Sequence, residues 1–248
     1  MTNCKHIELL DTEVRSDWLV PTGSIRPQLR VGGALLRLYR ERHRKTAAPK
    51  GSRQPVLVLP GFLAGDTSTA VLRQHLKQLD YAVIGWKRGM NFGFVKAQLE
   101  LYKERVKRLA DREGQPVHLI GSSLGGFLAR EIARDCPDVV AQVISIGSPV
   151  VGGPKYTRAA RFYRRASINL DRIERDVDAR RSVAIKVPLT LIFSKCDGVV
   201  AWQACIDTQH DHAEHHEINI PHSSMCFSPE VFRVVSEKLG RVAHCPSG

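Results

Sequence analysis

Residues 115–125, Gln-Pro-Val-His-Leu-Ile-Gly-Ser-Ser-Leu-Gly, decide how this chain folds. The apolar run Val117–Ile120 ends at Gly121, and helical periodicity begins at Leu124 and continues to Asp135, with Pro137 as the stop. Strand, sharp turn and helix therefore follow one another with no loop between them. At the apex stands Gly121-Ser122-Ser123-Leu124-Gly125, a G-x-S-x-G in which Ser123 has a glycine two residues to either side. A turn this tight lifts the Ser123 hydroxyl above the sheet, and the glycines let the crossing backbones pass without a Cβ clash. The free amides of the helix N-terminus then face any oxyanion formed there. Ser123 is the candidate nucleophile; Ser122 lacks the flanking pattern.

Outward from this turn, β-rich and amphipathic segments alternate. Pro55–Pro60 (PVLVLP) is a continuous apolar run that reads as a strand buried on both faces. A helix at Thr67–Leu79, a strand at Tyr81–Trp86 and a long helix at Phe94–Arg112 follow, the last with its stripe at Val95, Leu99, Tyr102, Val106 and Leu109. Beyond Asp135, strands are expected at Val139–Gly147, Val187–Ser194 and His215–Ile220, and a closing helix at Pro229–Leu239. Such alternation predicts an α/β fold with a doubly wound, mostly parallel sheet. Two stretches break the rhythm. Residues 1–54 form an N-terminal extension with a basic amphipathic helix at about Leu29–Lys45, expected to pack on the body formed by residues 55–248. Residues 150–186 are helical and Arg-rich, an insertion expected to cap the site.

At 248 residues and 43% hydrophobic the chain is long enough for one domain with a large core. No run approaches the roughly 18–20 apolar residues of a membrane span. Charges are scattered through the first twenty residues, so no secretory leader is expected and a cytoplasmic address follows. The six cysteines have no C-x-x-C spacing, so reduced thiols are expected, with a Cys205–Cys226 bridge left open. The net charge of +12 is concentrated in residues 26–53, where Glu41 is the lone acid, and in residues 155–186. Neither segment interleaves aromatics or matches a nucleic-acid-binding motif. Solvated faces, or docking on an anionic lipid surface, fit these segments better than nucleic acid.

A serine nucleophile needs a base and an acid that orients it. Asp197 follows the expected strand at Leu189–Ser194, and His222 follows Ile218–Ile220, so both belong at the same sheet edge as Ser123. Asp207 or Asp211, and His215 or His216, are the fallback acid and base. Pro60-Gly61-Phe62-Leu63 ends the first strand at that edge, and the main-chain amides of Phe62 and Leu124 would form the oxyanion hole.

With these motifs in order, the chain resembles the serine α/β-hydrolases of the bacterial lipase and esterase type. The likeness spans about Pro55 to Leu239 and rests on VLVLPGFLAG, VHLIGSSLGG, LTLIFSKCDG and His222 ahead of the final helix. It implies a carboxylic ester hydrolase with Ser123 as nucleophile, Asp197 as acid, His222 as base and the Phe62 and Leu124 amides as oxyanion donors. The likeness is not specific to a substrate; a short- to medium-chain acyl or lipid ester is the expected one, with no cofactor or metal required. An acyltransferase would use the same acyl-enzyme. A remoter alternative is a metal-dependent hydrolase built on His210-Asp211-His212-Ala213-Glu214-His215, which resembles a dinuclear metal motif. Tyr156, Phe162, Tyr163, Ile168, Leu170 and Ile173 of the insertion are candidate acyl-pocket residues, and Arg161–Arg165 a candidate contact for an anionic interface or an acidic leaving group.

Overall fold

The computed structural model describes Trp18 and residues 49–242. Six strands form one sheet: Pro55–Leu59 (β1), Ala82–Ile84 (β2), Val117–Ser122 (β3), Val140–Ile146 (β4), Leu189–Phe193 (β5) and Ala213–Glu217 (β6). Their order is β2-β1-β3-β4-β5-β6, and every neighbouring pair is parallel. Among the described residues the α-helices are Ala70–Gln78 (α1), Val95–Glu113 (α2), Leu124–Asp135 (α3), Ala160–Arg165 (α4), Leu170–Arg181 (α5) and Pro229–Val242 (α6). This is the doubly wound α/β architecture that the alternation of segments predicts. The expected helix at Leu29–Lys45 lies outside the described residues.

Both sheet faces are covered, which is why β1 reads as an unbroken apolar run. Successive side chains of a strand point to opposite faces. Val56 and Val58 pack with Leu72 and Leu76 of α1 and with Val231 and Val235 of α6. Leu57 and Leu59 pack on the other face with Tyr102 and Val106 of α2 and with Leu128 and Ile132 of α3. The chain leaves β1 for β2 on one side and then crosses back to β3 on the other. The strand order therefore reverses between β1 and β3, and a crevice opens outside their carboxyl ends.

Two elements depart from expectation. The last strand is Ala213–Glu217, not His215–Ile220, because β6 is an edge strand. Its polar sequence AEHHE is held by main-chain pairing with β5 from Ala213 to Glu217, so hydrophobicity does not mark it. The helix expected at Thr67–Leu79 opens instead with a 3-10 turn at Asp66–Thr69 before α1 begins.

Between β4 and β5 the insertion is helical, as its sequence indicates. Its α5 starts at Asn169, whose side-chain oxygen accepts a hydrogen bond from the Arg172 amide at 2.9 Å. Arg180 ties α5 to α3, pairing with the buried Glu131 and with Asp135 at 2.8 Å. Tyr156 of the insertion meets Trp18 edge to face with ring centroids 5.0 Å apart. Cys205 and Cys226 are both buried free thiols, so the bridge left open by the sequence does not form.

Candidate active site

Because all strands run parallel, the residues following β1, β3, β5 and β6 collect at one edge. Ser123 follows β3 directly and has φ 51° and ψ −121°, a conformation that costs a non-glycine residue about 1–3 kcal/mol. The flanking glycines allow this crossing. A Cβ on Gly121 would fall on the Gly125 carbonyl, and one on Gly125 would fall on the Leu59 carbonyl of β1. The Ser123 amide donates to the Ile146 carbonyl at 2.8 Å, and the Ser148 hydroxyl donates to the Ser123 carbonyl at 2.5 Å. The turn is thereby fixed from both sides.

Asp197 and His222 come into direct contact. His222 Nδ1 lies 2.6 Å from Asp197 Oδ2, and the His222 amide donates to the Asp197 carbonyl at 3.0 Å. The other carboxylate oxygen of the buried Asp197 accepts hydrogen bonds from the amides of Val199 at 2.8 Å and Val200 at 2.6 Å. The carboxylate is therefore pinned, and the ring it faces is held at Nδ1. Gly147, next after the Ile146 that holds Ser123, has φ 57° and packs against this pair. A Cβ there would come 3.1 Å from His222 Nδ1 and 3.2 Å from Asp197 Oδ2. Among the described residues the Ser123 hydroxyl makes no hydrogen bond, to His222 or to any other group. Catalytic serine–histidine bonds often tighten only with substrate bound.

The amides of Phe62 and Leu124 donate to no protein acceptor among the described residues, as an oxyanion hole requires. Their loop is anchored by Asn91, a residue that the sequence reading does not single out. Asn91 is fully buried, its Nδ2 donates to the Pro60 carbonyl at 3.1 Å, and its Oδ1 accepts from the Gly93 amide at 3.1 Å and Gln98 Nε2 at 3.0 Å. Main-chain bonds from Leu63 to the Asn91 carbonyl (2.8 Å) and from the Asn91 amide to Ala64 (2.9 Å) complete the clamp. Its signal in the sequence is faint: an asparagine between glycines in Gly89-Met90-Asn91-Phe92-Gly93.

From Ser123 and Leu124 a cavity of about 840 Å³ runs along α3 past Phe127 to Glu131. One wall is α2, through Val95 and Leu99, and the other is the insertion, through Tyr163, Ile173 and Val177. Of the insertion residues expected there, Tyr163 and Ile173 line the cavity. Tyr156 and Leu170 are instead buried in packing, Phe162 and Ile168 are exposed, and Arg161, Arg164 and Arg165 face outward.

In the histidine cluster at 210–215 the ring nitrogens are engaged by protein groups. His210 Nδ1 bonds Asp207 at 2.9 Å while its Nε2 accepts from the Ile185 amide at 2.9 Å. His215 Nε2 accepts from the Asp207 amide at 3.0 Å, and His212 Nε2 meets the Val187 carbonyl at 3.2 Å. The described residues contain no group of three side chains placed to share a metal ion. Asp207, the fallback acid, is instead paired with buried Arg130 at 2.7 Å. Burial alone would raise its carboxyl, but the His210 hydrogen bond and the Arg130 charge hold it well below the usual carboxylate range. Asp211 is exposed, and His216, like His215, lies on β6.

Fold and site geometry define the class: an α/β-hydrolase with a serine at a nucleophile elbow. Solved structures share this fold. A monoacylglycerol lipase of Paleococcus ferrophilus is 15% identical with a TM-score of 0.59, covering 79% of this chain and 97% of its own. A Bacillus licheniformis lipase is 12% identical at 0.59, covering 78% and 94%, and a Pyrococcus furiosus esterase is 18% identical at 0.58, covering 77% and 83%. No curated protein matches the chain by sequence. The family model for palmitoyl protein thioesterase matches residues 63–192, more than half of the chain, and the protein belongs to that family. No helix among the described residues is long and apolar enough to cross a membrane.

Proposed function

We propose that the protein hydrolyses carboxylic esters and thioesters of short- to medium-chain acyl groups through a covalent acyl-Ser123 intermediate. His222 takes the proton of the Ser123 hydroxyl as the oxygen attacks the acyl carbonyl, and Asp197 orients the ring and stabilises its cation. The amides of Phe62 and Leu124 bind the oxyanion of the tetrahedral intermediate. Collapse expels the alcohol or thiol, protonated by His222, and leaves the acyl group on Ser123. Water, deprotonated by the same histidine, then releases the acid. The family is named for a thioesterase, and an acyl-enzyme forms from either kind of substrate.

The observation that carries this reading is the 2.6 Å contact of His222 with the pinned Asp197 at the edge where Ser123 stands. The cavity supports the choice of acyl group. From Ser123 to Glu131 along α3 is about 12 Å at 1.5 Å per residue, the length of an extended chain of roughly eight to ten carbons. The test is hydrolysis of p-nitrophenyl esters from acetate to palmitate, and of the matching acyl thioesters, with Ser123→Ala and a chelator-treated sample alongside. Turnover that vanishes in Ser123→Ala and survives the chelator supports the reading. Turnover that persists without Ser123 and is lost to the chelator overturns it.

A further inference from the structure

We propose that the rim around the cavity mouth docks the protein on an anionic lipid surface. Leu63, Met90, Phe92, Phe94 and Phe162 are 49–70% exposed, although residues of these types are ordinarily inside. They belong to one rim. Leu63 is bonded to Asn91 at 2.8 Å, which sets the oxyanion loop beside the 87–96 loop. Phe94 lines the cavity, and Phe62 joins the oxyanion loop to α4 with its ring 5.4 Å from that of Phe162. A contiguous apolar rim of this kind marks an interaction surface, whereas single exposed side chains do not.

Its charge identifies the occupant. Lys87, Arg88 and Lys96 on one side and Arg161, Arg164 and Arg165 on the other are exposed, and none is in an ion pair among the described residues. No acidic residue occurs in 87–97 or 158–168. Protruding phenyl and thioether groups interleaved with unpaired cations match the boundary between acyl chains and anionic headgroups. An acidic polypeptide would meet the cations and leave the phenyl groups in water. The buried Asn91 clamp holds the loop in this form before contact, so little ordering is needed on docking. The purpose of docking, delivery of acyl substrates into the cavity, rests on the function proposed above, but binding itself is read without turnover.

The test is co-sedimentation of the full chain with phosphatidylcholine vesicles, with and without phosphatidylglycerol. Binding is expected only with phosphatidylglycerol. The partition coefficient should fall about tenfold in Met90→Ser/Phe92→Ser and in Arg161→Gln/Arg165→Gln, with p-nitrophenyl acetate hydrolysis unchanged in the first pair. Equal binding to vesicles without phosphatidylglycerol would overturn the proposal. So would undiminished binding of Met90→Ser/Phe92→Ser, which would move the contact to the basic residues of 26–53. Retention on an acidic polypeptide matrix with vesicles ignored would assign the rim to a protein partner instead. Loss of hydrolysis in the wild-type chain with vesicle binding intact would sink the catalytic reading and leave the docking standing.

Discussion

Asn91 makes the most informative perturbation, because it touches no substrate yet holds the loop that carries the Phe62 amide. Asn91→Ala removes three side-chain hydrogen bonds and strands the Pro60 carbonyl, the Gly93 amide and Gln98 Nε2. At about 0.5–1.5 kcal/mol each, the expected loss of stability is roughly 2–4 kcal/mol. An oxyanion donor contributes on the order of 2.7–4 kcal/mol to the barrier, and a displaced loop forfeits part of it. The kcat should therefore fall about ten- to a hundredfold, with KM little changed because the donor acts on the transition state. Gln98→Ala serves as the control. It breaks only the bond that does not reach the oxyanion loop, so about 1 kcal/mol of stability should go while kcat stays within about twofold. Urea unfolding and steady-state kinetics on one p-nitrophenyl ester measure both quantities. An Asn91→Ala enzyme that is destabilised but keeps its kcat, or that changes in KM alone, would refute the positioning argument.

Further outcomes follow from other parts of the structure. Ser123→Gly relieves the positive-φ strain that Ser123→Ala retains, so it should be more stable than Ser123→Ala by about 1–3 kcal/mol in urea melts. Ile173→Trp narrows the cavity between α3 and the insertion, so the chain-length optimum should move toward shorter acyl groups while acetate turnover is retained. Burial lowers the His118 pKa to about 4, against roughly 6.5 in the unfolded chain. Between those values the unfolded state binds a proton that the folded state does not, so stability falls as pH drops from about 6.5 to about 4, by up to about 3 kcal/mol. His118→Gln should flatten that part of the stability profile, and an unchanged slope would contradict the assignment. Asp207 acts lower on the scale: its depressed carboxyl stabilises the fold above the ordinary carboxylate range and loses that contribution as pH falls further.

Much of this architecture was legible because hydrophobic pattern and position coincide. Buried strands such as β1 are unbroken apolar runs, and a G-x-S-x-G between a strand and a helix leaves little conformational choice at Ser123. The meeting of Asp197 with His222 was legible for a related reason: in a parallel sheet every strand end reaches the same edge. What the sequence hid depends on contacts between distant residues. β6 is polar and owes its existence to pairing with β5, so its limits follow the partner and not its own side chains. Asn91 takes its role from the Pro60 carbonyl, 31 residues away in the chain, which no local pattern records. The histidine cluster read like a metal motif because spacing alone does not reveal that Asp207, Ile185 and Val187 occupy its ring nitrogens.

The central claim is that Ser123 is the group acylated during turnover. Its most direct measurement is mass-spectrometric mapping of the adduct left by a fluorophosphonate, which reacts with a serine only when that serine is activated as a nucleophile. The account predicts a single stoichiometric adduct on the peptide containing Ser123, with labelling slowed by orders of magnitude in His222→Ala. An adduct on another residue, or labelling of Ser123 at the same rate without His222, would contradict it.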